Sequence, residues 1–238
     1  EAARNCPQTR AVVCITTDKV YLNRETHEGY REGDRLGGKD PYSASKACAE
    51  IVASAYVQTM AARGNGVAIA TARGGNIIGG GDWSRDRIIP DYVRAKANGE
   101  PLLIRNPEST RPFQHVMSLV HGYMLLGSHL LREGRSQNSV WNFGPTDSDA
   151  QTVRKVVQGM ARHWDPPEIQ FGDAAFPEAT FLHLDSTKAQ KHLRWYPPIG
   201  FDDTIALTAN WYKDFYADPA KAHALTTSQI EHYRGKLS

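Results

Sequence analysis

The sequence AVVCITTDK at residues 11–19 joins an apolar, β-branched run to three polar side chains. The run predicts a strand buried on both faces, as in a parallel sheet. A polar, glycine-bearing stretch at residues 21–40 predicts a long loop, which leads into a predicted helix over Tyr42–Arg63. A second apolar run, Val67–Arg73, predicts another buried strand. Strand, helix and strand in this order form a βαβ unit, which predicts an α/β fold.

Helices and short strands continue to alternate after residue 75. The apolar patterns predict helices near 88–97, 117–131, 152–164 and 201–216, and strands near 102–104 and 140–143. The last twenty residues or so are polar and are predicted to be peripheral. We therefore expect the C-terminal half of a Rossmann-like, doubly wound parallel sheet, together with a smaller α/β substrate-binding domain. Residues 1–75 then form the partial Rossmann-like domain, and residues 76–238 form mainly the substrate domain, with some elements returning to the first.

Composition gives few hints of large partners. A formal net charge of +2 over 238 residues gives no sign of a nucleic-acid-binding surface. No apolar run approaches the ~20 residues that a membrane helix needs, so no membrane partner is expected. The cysteines Cys6, Cys14 and Cys48 form no Cys-x-x-Cys pair, which predicts buried free thiols in a reducing cytoplasm and no metal site. Residues 1–7 look like the end of a helix inside a domain, so we expect that the sequence does not start at a native N-terminus.

Tyr42 and Lys46 are four residues apart at the start of the predicted helix. On a helix they share one face, about one turn apart. An ammonium group near a phenol favours the phenolate, which can act as a base toward a sugar hydroxyl. The same spacing also occurs by chance on solvated helices. Its position between two buried strands favours the functional interpretation.

Three short motifs carry a resemblance to a known family. They are Thr17-Asp18-Lys19, the pair Tyr42 and Lys46, and Arg73-Gly74-Gly75-Asn76. In this order they resemble the extended short-chain dehydrogenase/reductase family, and within it the nucleotide-sugar 4,6-dehydratases. Those enzymes carry Thr-Asp-Glu where this chain has Thr-Asp-Lys, and the lysine resembles the members that act on CDP-glucose. The resemblance extends over nearly the whole chain.

The resemblance implies an NAD-dependent lyase of deoxysugar biosynthesis. Tyr42, helped by Lys46 and Thr17, is expected to remove the C4 hydroxyl proton of the sugar while hydride passes from C4 to NAD⁺. Water then leaves across C5 and C6, and the hydride returns to C6. Asp18, kept protonated by burial, is expected to protonate the departing C6 hydroxyl. Lys19, in its neutral form, is expected to take the C5 proton.

The resemblance also implies residues that bind ligands and a partner. The residues expected to contact the nucleotide sugar are Thr17, Asn76, Arg87, Arg111 and Glu178. The residues expected to contact NAD are Tyr42, Lys46 and Ile77. Arginine suits this role because its guanidinium group matches phosphate oxygens at two points. A homodimer, formed through helices that include the one beginning at Tyr42, is expected as well.

The glycine-rich loop that typifies the family's NAD site is not in the sequence. That site rests on Gly-x-x-Gly-x-x-Gly after the first strand, with an acidic residue about 20 residues later. No such loop precedes Tyr42. We therefore expect the N-terminal part of an ordinary member to be absent. The alternatives that stay open are a 4,6-dehydratase of another nucleotide sugar, an epimerase, and an inactive remnant that binds NAD poorly.

Overall fold

A three-stranded parallel sheet organises the first of two units into which the chain folds. The computed structural model describes residues 2–26, 28–62, 67–134, 139–145, 150–172 and 182–237. Unit 1 comprises Glu1–Gly75, Leu119–Gly144 and Leu182–Tyr196. Unit 2 comprises Asn76–Ser118, Pro145–Phe181 and Pro197–Ser238.

Strands and helices alternate along the chain. The strands are β1 (Ala11–Thr17), β2 (Ala68–Gly74), β3 (Ile77–Ile78), β4 (Leu102–Ile104), β5 (Thr110–Pro112), β6 (Gln114–His115), β7 (Val140–Phe143), β8 (Ala150–Thr152) and β9 (Ile169–Phe171). The helices are α1 (Pro41–Ala62), α2 (Ile88–Asn98), α3 (Val116–Glu133), α4 (Val153–Ala161), α5 (Thr187–Leu193), α6 (Phe201–Ala217) and α7 (Ala222–Gly235).

The sheet of unit 1 has the order β1-β2-β7, with all strands parallel. The register pairs Thr17 with Gly74, so β1 and β2 end side by side. All seven residues of β2 are buried, which agrees with the apolar run from which the strand was predicted. Alanines of β2 pack with leucines of α3 and with Trp141, Phe143 and Trp195 in the main core of the unit. The polar residues that follow β1 therefore start from a rigid strand end.

Unit 2 has a larger hydrophobic core and three small sheets. Residues of α2, α4 and α6 build this core, including Tyr92, Met160 and Tyr212. The strand pairs are β3 with β6 and β4 with β9, both parallel, and β5 with β8, antiparallel. Gly99, in the left-handed conformation, ends α2.

Most predicted elements are present with ends shifted by a few residues. Most of the described C-terminal residues are exposed, which agrees with the predicted peripheral position. Residues 222–235 form helix α7, in which Tyr233 is buried and Thr226 Oγ1 accepts from Trp211 Nε1 at 3.0 Å. The prediction of buried thiols is wrong for Cys6 and Cys48, which are exposed, while Cys14 is half-buried. Cys48 is exposed because α1 buries a different face, through Ala47 and Glu50.

Two further observations concern ions and membranes. Within the described ranges, no three His, Cys, Asp or Glu side chains lie close enough together to hold a metal ion. No helix in the described part of the chain combines the length and the apolar character that a bilayer span requires.

Candidate active site

The polar triplet Thr17-Asp18-Lys19 lies where β1 leaves the sheet. Asp18–Val20 form a single 3₁₀ turn, and Thr17 caps it by accepting a hydrogen bond from the Lys19 backbone N–H at 3.4 Å. The Thr17 hydroxyl also donates to Asp18 Oδ1 at 2.9 Å. Thr17 and Asp18 are buried, whereas the Lys19 side chain is exposed. The turn therefore holds a carboxyl group inside and an amine outside, one residue apart.

Helix α1 begins with a cap that fixes the position of Tyr42. Pro41 occupies the first helical position, where its missing N–H is not needed. The Asp40 carboxylate accepts hydrogen bonds from the Ser43 backbone N–H at 3.0 Å and from the Ser43 hydroxyl at 2.5 Å. The Ser43 hydroxyl is the main reason why the pKa of Asp40 is lowered. A charged Asp40 at the positive end of the helix supports this cap.

Tyr42 lies between two amines. Lys46 Nζ is 6.0 Å from the centroid of the Tyr42 ring, and Lys19 Nζ is 5.9 Å from the same centroid. Tyr42 is 52% exposed, so its phenol can be reached by a ligand. The contact between Lys46 and Tyr42 agrees with their predicted spacing, while the approach of Lys19 comes from the tertiary fold.

Asp18 packs against the backbone of Gly75, the residue that follows β2. A β-carbon built on Gly75 would lie 2.5 Å from Asp18 Oδ2 and 3.1 Å from Asp18 Cγ. Both distances are shorter than ordinary contact, so only glycine leaves space for the carboxyl group here. The neighbouring ends of β1 and β2 thus place the Thr-Asp-Lys and Arg-Gly-Gly motifs in direct contact.

A buried ionic network in unit 1 was not predicted from the sequence. Glu50 of α1 accepts hydrogen bonds from Arg73 Nε at 3.0 Å and from Arg73 Nη2 at 3.1 Å, and both side chains are 2% exposed. Arg73 Nη1 donates to the Tyr21 hydroxyl at 2.7 Å, which donates to Asn142 Oδ1 at 2.8 Å. The available signal was an arginine at the end of an otherwise apolar strand.

Unit 2 carries the remaining predicted residues. The Asn76 carbonyl oxygen accepts from the Gln114 N–H at 3.1 Å, and Ile77 in β3 is 42% exposed. Arg87 directly precedes α2, and its Nη1 donates to Asp82 Oδ2 at 2.9 Å. Arg111 lies in β5. These positions are compatible with ligand contacts, and their roles stay predictions.

Two predicted contacts need separate comment. Glu178 lies outside the described residues. Arg87 already has Asp82 as its acidic partner. Burial raises the pKa of Asp82, but hydrogen bonds from Ser84 and Arg87 outweigh this effect, so the pKa is lowered overall. A phosphate group at Arg87 would therefore compete with Asp82 for the guanidinium group.

Comparison with known proteins gives matches over most of the chain. The model of the NAD dependent epimerase/dehydratase family matches residues 1–144. The chain is 43% identical over 219 residues to the CDP-glucose 4,6-dehydratase of Salmonella typhimurium. That match covers 90% of this chain and 61% of the relative, so the chain spans about three fifths of the relative's length.

Two solved structures share the fold. MoeE5 in complex with UDP-glucose and NAD is 26% identical, with a TM-score of 0.73, and the match covers 86% of this chain and 65% of that chain. The dTDP-glucose 4,6-dehydratase of Bacillus anthracis in complex with NAD is 22% identical, with a TM-score of 0.71, and the match covers 86% and 62%. The predicted α/β fold class is confirmed.

Proposed function

Because the chain belongs to the NAD dependent epimerase/dehydratase family, we propose that the protein carries out the NAD-dependent 4,6-dehydration of CDP-glucose. The product is CDP-4-dehydro-6-deoxy-glucose, which belongs to a class of intermediates in deoxysugar biosynthesis. The observation that carries this proposal is the Tyr42 phenol between Lys46 and Lys19, beside the Thr17-Asp18 turn. The 43% identity to a CDP-glucose 4,6-dehydratase supports the choice of nucleotide sugar.

The first chemical task is to remove the proton of the C4 hydroxyl group. Tyr42 is exposed enough to reach a sugar, and the amines of Lys46 and Lys19 lie beside its ring. The Thr17 hydroxyl lies in the same unit, where it can hydrogen-bond the C4 oxygen. An exposed phenol and an amine suit the ribose hydroxyls of NAD, so Tyr42 and Lys46 fit the part of the cofactor that they would hold. NAD, when bound, supplies the hydride acceptor and donor for the reaction.

The second task is the loss of water across C5 and C6. Asp18 is 3% exposed, and a buried site disfavours the charged form of a carboxyl group. In its neutral form Asp18 can donate a proton to the departing C6 hydroxyl group. Lys19 lies beside the Tyr42 ring, and in its neutral form the amine can take the C5 proton. Donor and acceptor thus come from adjacent residues of one turn.

Other residues complete the proposal. In this proposal the nucleotide sugar is bound by Asn76, Arg87, Arg111 and Glu178, and NAD is contacted by Ile77. The proposed oligomeric state is a homodimer, and the exposed Ile51 and Val52 of α1, at 60% and 55%, are compatible with a helical contact. The free cysteines are compatible with a reducing, cytoplasmic location.

The experiment that tests the function is incubation of the protein with NAD and each of CDP-glucose, dTDP-glucose and UDP-glucose. A 4-keto-6-deoxy product formed fastest from CDP-glucose is expected. A C4 epimer without loss of water would favour an epimerase instead. If a 4-keto-6-deoxy product formed only from another nucleotide sugar, the proposed reaction would stand and the proposed substrate would be wrong.

A further inference from the structure

The buried face of helix α1 is made almost entirely of small side chains. Its buried residues among positions 41–59 are Ser43, Ala47, Glu50 and Ala53. Alanine and serine side chains are too short to interdigitate with the side chains of a sheet. Their packing alone therefore does little to fix the position of the helix on the sheet. Among the described side chains of α1, Glu50 is therefore the only long one that is buried.

Glu50 ties α1 to both neighbouring strands. Its Oε1 accepts from the Thr16 hydroxyl of β1 at 2.5 Å, and its Oε2 accepts from the Thr71 hydroxyl of β2 at 2.7 Å. Arg73 of β2 adds a two-point fork to the same carboxylate. Hydrogen bonds to an ionised group are short and directional, so four of them define both the height and the rotation of the helix.

Arg73 extends the same restraint to the rest of unit 1. Besides Glu50 it contacts Tyr21, whose ring centroid lies 4.6 Å from the guanidinium carbon. Burial raises the pKa of Tyr21 to about 12, against the opposing effect of Arg73, so this phenol is a neutral hydrogen-bond partner. Through Tyr21 and Asn142 the network reaches β7. The ion pair is therefore held from the side of the sheet as well as from the helix.

We propose that Glu50 and Arg73 are positioning residues, which hold Tyr42 and Lys46 of α1 at the correct place beside the Thr17-Asp18-Lys19 turn. Glu50 lies two turns after Tyr42, about 12 Å along the helix axis. Its partner Thr16 directly precedes Thr17 in the chain. The network thus connects the helix that carries the base with the residue next to the turn. This inference rests on the proposed function.

Stability alone does not explain such a pair. Replacing a buried ion pair by apolar residues of similar volume is often neutral or stabilising, whereas removing one partner leaves a buried charge and is strongly destabilising. The double variant Glu50→Leu/Arg73→Met therefore separates the two roles, since it removes both charges together. The matched control is Glu231→Gln/Arg234→Met, which removes an exposed ion pair of 3.1 Å in α7.

The test compares melting temperature, kcat and KM for CDP-glucose in these variants. For Glu50→Leu/Arg73→Met we expect a melting temperature within about 4 °C of wild type. We expect kcat to fall about 100-fold, as for an active-site displacement near 1 Å, with KM little changed. The control variant Glu231→Gln/Arg234→Met should keep the wild-type melting temperature, kcat and KM. A double variant with wild-type kcat would overturn the proposal.

A second measurement does not depend on turnover. Nitroxide labels are placed on the exposed Cys48 of α1 and at Lys191→Cys of α5, in a Cys6→Ser/Cys14→Ala background. Electron dipolar spectroscopy should give one narrow distance in the parent and a broad or shifted distribution in Glu50→Leu/Arg73→Met. An unchanged distribution would overturn the positioning role. If the unlabelled wild type shows no turnover, the proposed function fails, and this distance still decides the inference.

The variant Arg73→Lys covers the case in which the double variant does not fold. Lysine keeps the charge but cannot form the two-point fork. We expect about a 10-fold lower kcat with unchanged KM, since one directional bond of the fork is lost. Wild-type kcat in folded Arg73→Lys, together with an unchanged label distance, would contradict the proposal.

Discussion

The carboxyl group of Asp18 lies so close to the backbone of Gly75 that a β-carbon there would be 2.5 Å from Asp18 Oδ2. We therefore predict that Gly75→Ala displaces Asp18 and slows the loss of water. A displacement of about 1 Å is expected to lower kcat about 100-fold. The measurement is the rate of 4-keto-6-deoxy product formation from CDP-glucose.

Gly33→Ala is the matched control, because nothing lies within 4 Å of a β-carbon at Gly33. This variant should keep the wild-type rate. Equal rates in Gly75→Ala and Gly33→Ala would show that the position of Asp18 does not limit the reaction.

Tyr42 is expected to act as the base toward the C4 hydroxyl group. Tyr42→Phe should lower kcat about 1,000-fold, within the usual range for loss of a general base, with the fold and the melting temperature retained. Tyr196→Phe serves as the control, since Tyr196 is another exposed tyrosine of unit 1. Activity of Tyr42→Phe close to that of Tyr196→Phe would exclude the assigned role.

Lys19 is expected to take the C5 proton. Lys19→Gln should lower kcat about 100-fold, and in ²H₂O the appearance of deuterium at C5 of the product should slow by the same factor. Lys39→Gln removes another exposed lysine of unit 1 and should change neither rate. If deuterium appears at C5 at the wild-type rate in Lys19→Gln, another group must be the base.

His115 makes the stability of the protein sensitive to acid. The side chain is 1% exposed, its Nδ1 accepts from the Met117 N–H at 3.3 Å, and burial lowers its pKa from 6.5 to about 4. Between pH 6.5 and pH 4 the unfolded chain binds a proton that the folded chain does not bind. The free energy of unfolding should therefore fall as the pH is lowered through this window, by about 3 kcal/mol from His115.

Denaturant unfolding at pH 7.5 and pH 4 measures this effect. The loss between the two pH values should be smaller by about 3 kcal/mol in His115→Leu. His232→Leu replaces an exposed histidine and should keep the wild-type loss. The same pH dependence in all three proteins would show that His115 is protonated in the folded state.

Local patterns in the sequence were enough to predict much of unit 1. The run Ala11–Thr16 predicts β1 because β-branched, apolar residues suit a buried strand. The spacing of Tyr42 and Lys46 predicts their contact because four residues make just over one helical turn. Both features depend on neighbours in the chain, and both the strand and the contact are present in the structure. The predicted burial of β1 on both faces is wrong, because β1 is the end strand of the order β1-β2-β7 and Ile15 is 56% exposed.

Other parts of the candidate site depend on how distant segments pack. The approach of Lys19 to Tyr42 requires the path of the loop at residues 21–40, which no periodic pattern encodes. The pair Glu50 and Arg73 requires the register of α1 against β2. A glutamate on a helix and an arginine in a strand each look ordinary in the sequence. Only the fold shows that each is buried and is the partner of the other.

The most direct test of the central claim is a comparison of wild type, Tyr42→Phe and Lys46→Met with CDP-glucose and NAD, followed by mass spectrometry and NMR of the product. The proposed function predicts that the wild type forms a product lighter by one water, with a ketone at C4 and a methyl group at C6, and that both variants lose this activity. Unchanged CDP-glucose after incubation with the folded wild type, or equal conversion by all three proteins, would contradict it.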